Sequence, residues 1–84
     1  MQKAYPSKVF YMELNQQFAQ LLREERKKRG LTQQELASIL GMGQGNVSMI
    51  ERGEWNVSLD IVERIARALD MDVELSMYKK SSLV

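Results

Sequence analysis

A capping box that begins at Thr32 and a glycine nine residues after Thr32 set the length of the central helix of this chain. The hydroxyl of Thr32 can accept a hydrogen bond from the amide of Glu35, whose carboxylate can reach back to the amide of Thr32, so a helix begins here. Gly41 lies where such a helix ends in the left-handed conformation, which glycine adopts without steric cost. The sequence therefore predicts a helix of only about two turns, after which the chain reverses direction.

A second short helix is predicted after this turn. Val47 and Ile50 are spaced to share its buried face, and Gly53 ends it after Arg52. Ala37 is small enough for the two helices to cross closely. Two short helices joined by a tight glycine turn are the geometry of a helix-turn-helix, and we assign one to residues 33–52.

Two longer helices flank this pair. Asn15 can cap a first helix that runs to about Arg29, and Ser58 can cap a fourth from Leu59 to about Leu69. The apolar positions at helical spacing are Phe18, Leu21 and Leu22 in the first helix and Leu59, Val62, Ile65, Ala66 and Leu69 in the fourth. The fold class predicted is all-α, a bundle of four to five helices.

After Asp70 the pattern changes from helical to alternating. Val73, Leu75 and Met77 alternate with polar residues, which is typical of a half-buried β-strand, although a short fifth helix remains an alternative. A lone strand needs a ladder partner. We expect this strand to pair with its copy in a second subunit, so that Val73, Leu75 and Met77 form the dimer interface. The N-terminal arm of the same chain is the alternative partner. The predicted organisation is an arm at 1–14, a domain at 15–70, and a C-terminal strand and tail at 71–84.

Composition excludes several classes of protein. The 84 residues include no cysteine and no histidine, which removes disulfides, thiolate metal sites and the commonest general base. We therefore expect no metal, no cofactor and no enzymatic activity. The chain shows no membrane span and no signal-peptide core, so a cytoplasmic location is expected.

The charge is concentrated rather than large. The net charge is only +1, but five basic residues lie within residues 23–29. Such a run is typical either of a solvated helix end or of a surface that contacts phosphates. Lys28 is our candidate phosphate contact from this run.

The outer face of the second short helix is the candidate base-reading surface. Packing of Val47 and Ile50 leaves the N-terminal half of this helix pointing away from the core. The outward residues are Gln44, Gly45, Asn46, Ser48 and Met49, and a helix-turn-helix that binds DNA presents such residues to base edges in the major groove.

The central segments resemble the Cro/CI-type (XRE) helix-turn-helix family. The resemblance rests on residues 31–37 (LTQQELA), 40–44 (LGMGQ) and 50–53 (IERG), and it extends over about residues 16–70. It implies a lambda-repressor-like bundle with a central helix-turn-helix. It also implies binding of double-stranded DNA.

The resemblance implies roles for four residues. Gln44 is similar to a family glutamine that bonds adenine, and Gln33 to one that bonds a phosphate and steadies the base-reading glutamine. Arg26 and Glu51 match a family pair that bridges the first helix to the end of the third.

The sequence also departs from the family pattern. Gly45 has no side chain where relatives read a second base, and Met49 is apolar where a polar residue is common. Trp55 lies where relatives carry phosphate contacts, so its indole N–H can bond a phosphate or the ring can pack on the fourth helix. Arg52 and Asn56 complete the predicted phosphate contacts.

Three functions are compatible with these features. The first is a transcriptional regulator, most simply a repressor, that binds a palindromic operator as a homodimer. The second is a DNA-binding antitoxin whose arm and C-terminal strand contact a toxin. The third is a protein-interaction module that does not bind DNA.

Overall fold

The computed structural model describes residues 13–79, and these contain four helices. The helices are α1 (Leu14–Lys28), α2 (Gln33–Leu40), α3 (Gln44–Glu51) and α4 (Leu59–Ala68). The predicted all-α bundle with a central helix-turn-helix, formed by α2 and α3, is confirmed. Most of the predicted arm (1–14) and the last five residues of the chain lie outside the described residues.

The helix ends of α2 and α4 follow their local sequence. The amide of Glu35 donates to Thr32 Oγ1 over 3.0 Å, and the amide of Thr32 donates to Glu35 Oε1 over 2.9 Å, so the predicted capping box is confirmed. Gly41 ends α2 with φ of 67°, in the left-handed region. Ser58 Oγ accepts from the amide of Ile61 over 3.2 Å and caps α4.

Asn15 is not the N-cap of α1, which corrects the sequence prediction. The N-cap is Glu13, whose side chain makes no capping bond. Asn15 instead donates from Nδ2 to the carbonyl oxygen of Gly53 over 2.8 Å. An amide side chain can satisfy a carbonyl left open where a helix ends, so Asn15 joins the start of α1 to the end of α3.

Two leucines predicted to face inward are exposed. Leu21 and Leu59 are 62% and 67% exposed. In α1 the buried face is carried by Ala19 and Leu22, and Leu21 lies about 100° around the helix from Leu22. The apolar spacing in α1 is therefore helical as predicted, but the buried face includes Ala19 and not Leu21.

The core lies between α2, α3 and α4, with α1 closing one side. Its buried members are Leu22, Leu36, Ala37, Leu40, Val47, Ile50, Ile65 and Leu69. Helix α3 packs against α2 and α1, while α2 also packs against α4. Because α3 is held by two helices, its orientation follows from packing, and its remaining face is left outward.

The predicted C-terminal strand is not formed among residues 13–79, the part of the chain that the structure describes. Residues 71–79 are neither helical nor part of a ladder, so the alternative fifth helix is not formed over them either. The physical reason is that the described helices offer no strand edge to pair with. None of the helices in residues 13–79 is long and apolar enough to cross a membrane.

Two glycines should respond in opposite directions to replacement by alanine. Gly41→Ala should lower the free energy of unfolding by about 1–2 kcal/mol, because a Cβ is strained at positive φ. Gly45→Ala should raise it by about 0.5–1 kcal/mol, because Gly45 lies within α3 and a Cβ there would meet no atom within 4 Å. Urea denaturation of both variants tests this pair, and a loss of stability in Gly45→Ala would contradict it.

Candidate nucleic-acid interface

Helix α3 has a buried face and an exposed face. Val47, Ile50 and Glu51 are buried, whereas Gln44, Gly45 and Asn46 are exposed. Among the other predicted base-reading residues, Met49 is 39% exposed and Ser48 is half-buried. Four of the five predicted residues therefore lie open on the N-terminal half and middle of one helix.

A buried ion pair anchors α3 to α1. Glu51 is the buried charged residue of the described chain, at 2% exposure. Its two carboxylate oxygens accept from Arg26 Nε over 2.8 Å and from Nη2 over 3.0 Å, a bidentate arrangement. The Arg26 Nη1 group donates to the carbonyl oxygen of Leu31 over 3.0 Å. The hydrogen bond to Glu51 raises the pKa of Arg26, so this guanidinium stays charged.

Two glutamines extend this ion pair to the surface. Gln33 Nε2 donates to Glu51 Oε1 over 3.0 Å. Gln44 Nε2 donates in turn to Gln33 Oε1 over 2.8 Å. We call Glu51, Gln33 and Gln44 the amide chain, since it runs from the core to the first residue of α3.

The residues after α3 are partly engaged with one another. Arg52 donates to the hydroxyl of Ser48 and pairs with Glu54 over 3.1 Å, which raises the pKa of Arg52. Trp55 is half-buried and packs against the core, and Asn56 is exposed. Of the predicted phosphate contacts in this segment, Arg52 and Asn56 are exposed and Trp55 is half-buried, and Arg52 already pairs with Glu54.

The basic run at residues 23–29 divides into arginines that bond oxygen atoms of the same chain and lysines that are exposed. Arg23 donates to the carbonyl oxygen of Glu51, and Arg29 donates to that of Leu69 over 2.6 Å. Arg29 also bonds Glu25 over 2.8 Å, which lowers the pKa of that carboxyl. The Lys28 side chain is 78% exposed, and its Nζ lies 3.9 Å from Glu25 Oε1, a long ion pair.

The hydrogen bonds of Arg23 and Arg29 to backbone carbonyl oxygens were not predicted from the sequence. Arg23 lies three residues before Arg26, so both reach the end of α3 from one face of α1. That spacing was the available indication. The contact of Arg29 with Leu69 joins residues 40 positions apart, and no local pattern indicates it. Residues 13–79 contain no cluster of side chains that could hold a metal ion.

Comparison with known proteins places this geometry among helix-turn-helix proteins. The profile of the helix-turn-helix family HTH_3 matches residues 22–75. An uncharacterized HTH-type transcriptional regulator of Methanothermobacter thermautotrophicus is 47% identical over 49 residues, which are 58% of this chain and 71% of that protein.

Two solved structures are also similar. The restriction-modification controller protein C.AhdI of Aeromonas hydrophila has 41% identity and a TM-score of 0.63 over 69% of this chain and 84% of its own. One chain of the HipA-HipB-O2-O3 complex has 28% identity and a TM-score of 0.64 over 94% of this chain and 100% of its own. The second similarity therefore extends beyond the helices of the bundle.

The Arg26–Glu51 pair should be strongly coupled in stability. Arg26→Met or Glu51→Met alone leaves a buried charge without its partner and should cost about 3–5 kcal/mol, whereas the double variant should cost much less than the sum. A double-mutant cycle by urea denaturation should give a coupling energy well above about 0.5 kcal/mol. The matched control is the surface pair Glu25 and Arg29, whose coupling should be much smaller. Additive losses at Arg26 and Glu51 would contradict the prediction.

Proposed function

Because this chain belongs to the HTH_3 family of XRE-type helix-turn-helix proteins, which are DNA-binding transcriptional regulators and not enzymes, we propose that it is a repressor that binds a palindromic operator as a homodimer. The observation that carries the proposal is the placement of Gln44. Its side chain is exposed at the start of α3, while its amide is held by Gln33. We propose the cytoplasm as the place where it meets its operator.

In this proposal α3 lies in the major groove. Gln44, Asn46, Ser48 and Met49 face base edges, and Gly45 lets the backbone approach them closely. Amides read adenine through its N6 and N7 atoms, and an apolar residue such as Met49 contacts a thymine methyl. The hydroxyl oxygen of Ser48 already accepts a hydrogen bond from Arg52, so only the exposed side of this hydroxyl is available to a base edge.

The phosphate contacts proposed flank this helix. Lys28 offers an outward cation at the end of α1, and Gln33 lies at the first turn of α2. Arg52, Trp55 and Asn56 are the proposed contacts after α3. Contacts to phosphate position the helix and add affinity without reading sequence.

Dimerisation is proposed through residues 71–78. Val73, Leu75 and Met77 are 50%, 67% and 92% exposed, and their segment has no ladder partner within residues 13–79. Pairing with the same segment of a second copy supplies the missing ladder and is self-complementary across a two-fold axis. Such a dimer would set two α3 helices about 34 Å apart, one turn of DNA, and so match a palindrome.

A second candidate function is supported by one similarity. The matching chain of the HipA-HipB-O2-O3 complex aligns with 94% of this chain, so the likeness includes much of the sequence outside residues 22–75. In this candidate the protein is an antitoxin that also binds a toxin through surfaces outside the DNA-binding core. Growth rescue of a host that expresses a toxin encoded beside this chain would separate it from a stand-alone repressor.

Binding to duplex DNA should weaken steeply with salt. If each subunit neutralises about 3–5 phosphates, a dimer should give a slope of log K against log salt of roughly −5 to −9. Fluorescence anisotropy on a duplex selected from a random pool, between about 50 and 300 mM salt, measures the slope. A flat response, or no duplex selected from the pool, would exclude the proposed function and favour an interaction module without DNA binding.

Leu75→Lys should weaken the homodimer at least about tenfold. A buried leucine contributes about 1.5–3 kcal/mol, and the substitution removes it from both subunits. The matched control is Ser76→Lys, which adds the same charge one residue along, on the other side of the alternation. Analytical ultracentrifugation at micromolar concentration measures the dimer, and equal behaviour of the two variants would argue against strand pairing.

A further inference from the structure

The amide chain connects a buried carboxylate to an exposed glutamine through two hydrogen bonds. Gln33 is half-buried between Glu51 and Gln44, which is exposed. We infer that Glu51, through Gln33, is a positioning residue that fixes which atoms of the Gln44 amide are offered to DNA and thereby sets the base preference at one position. This inference deepens the proposed function and rests on it.

The direction of the hydrogen bonds in the amide chain follows from the chemistry of Glu51. Glu51 faces the Arg26 guanidinium through both oxygens, and a carboxylate only accepts hydrogen bonds. The end of the Gln33 amide that meets Glu51 must therefore be the NH₂ group. This turns the Gln33 carbonyl oxygen toward Gln44, so the atom of Gln44 that meets it must also be the NH₂ group.

The Gln44 amide keeps two groups that are free to bind a ligand. One of its two N–H donors is used by Gln33, and its carbonyl oxygen and second N–H remain. An acceptor beside a donor complements the major-groove edge of adenine, which offers an N6 donor and an N7 acceptor. Guanine offers two acceptors at the same edge, so the fixed carbonyl of Gln44 would face one of them without a hydrogen bond.

A neutral residue at position 51 would remove this control. A glutamine there can donate as well as accept, so the Gln33 amide could turn around, and Gln44 could follow it. Within residues 13–79, the hydrogen bonds of the Gln33 side chain are those of the amide chain, so Glu51 is the group in the protein that sets the direction of the Gln33 amide. The effect expected is a change in preference between bases, distinct from the structural role of the Arg26 ion pair.

The experiment compares three full-length variants. Glu51→Gln keeps the shape and loses the charge, and Arg26→Met/Glu51→Met removes both charges and the acceptor while keeping an apolar filling. Glu25→Gln is the matched control, since its carboxylate accepts from an arginine over 2.8 Å but has no contact with Gln33 among its hydrogen bonds. Circular dichroism selects a temperature at which each variant is folded.

The measurement is the affinity for four duplexes that differ only at the base pair whose preference is lost in Gln44→Ala. Glu51→Gln and the double variant should reduce the preference for adenine about five- to hundredfold, with affinity for random duplex changed less than about twofold. Glu25→Gln should leave both unchanged. Folded variants that keep the wild-type preference would overturn the inference while leaving DNA binding in place. A wild-type protein without any preference among the four duplexes would overturn both the inference and the proposed function.

Discussion

The bidentate pair between Arg26 and Glu51 joins the two halves of the molecule. It connects α1 to the last residue of α3, and the Arg26 guanidinium also holds the carbonyl of Leu31 in the turn before α2. A buried carboxylate is tolerated only where its charge and lone pairs are satisfied. Here no buried side-chain polar atom of residues 13–79 lacks a partner. The pair thus fixes the spacing of three helices while leaving the opposite face of α3 open.

The three arginines of the basic run at residues 23–29 support this arrangement by bonding oxygen atoms of the same chain. A run of five cations in a protein of net charge +1 invites an assignment to phosphate binding, yet its three arginines bond carbonyl or carboxylate oxygens of the same chain. Arginine suits this use, because its planar fork satisfies several acceptors at once. The two lysines, Lys27 and Lys28, remain exposed and are the cations of the run open to a ligand.

Local features of the sequence determined most of what could be predicted. The capping box at Thr32, the left-handed glycine at position 41 and the serine cap of α4 each act within a few residues, so their consequences could be derived from the sequence. Asn15 was misassigned because its partner is Gly53, far along the chain. The strand after Asp70 could not be settled because a ladder depends on a second segment, which the pattern of one segment does not specify.

The open space around Gly45 has a consequence for how this domain can diverge. A Cβ at position 45 would meet no atom of the protein within 4 Å, and the neighbouring Asn46 is exposed, so small substitutions at both positions leave the core unchanged. Gln44 differs, because its amide is tied through Gln33 to the buried pair. Substitutions that change the target DNA sequence are therefore expected to cost little stability where Gly45 and Asn46 meet the groove. Where Gln44 meets the groove, a new base preference requires compensating changes inside the fold. Paralogues are therefore expected to differ first at positions 45 and 46.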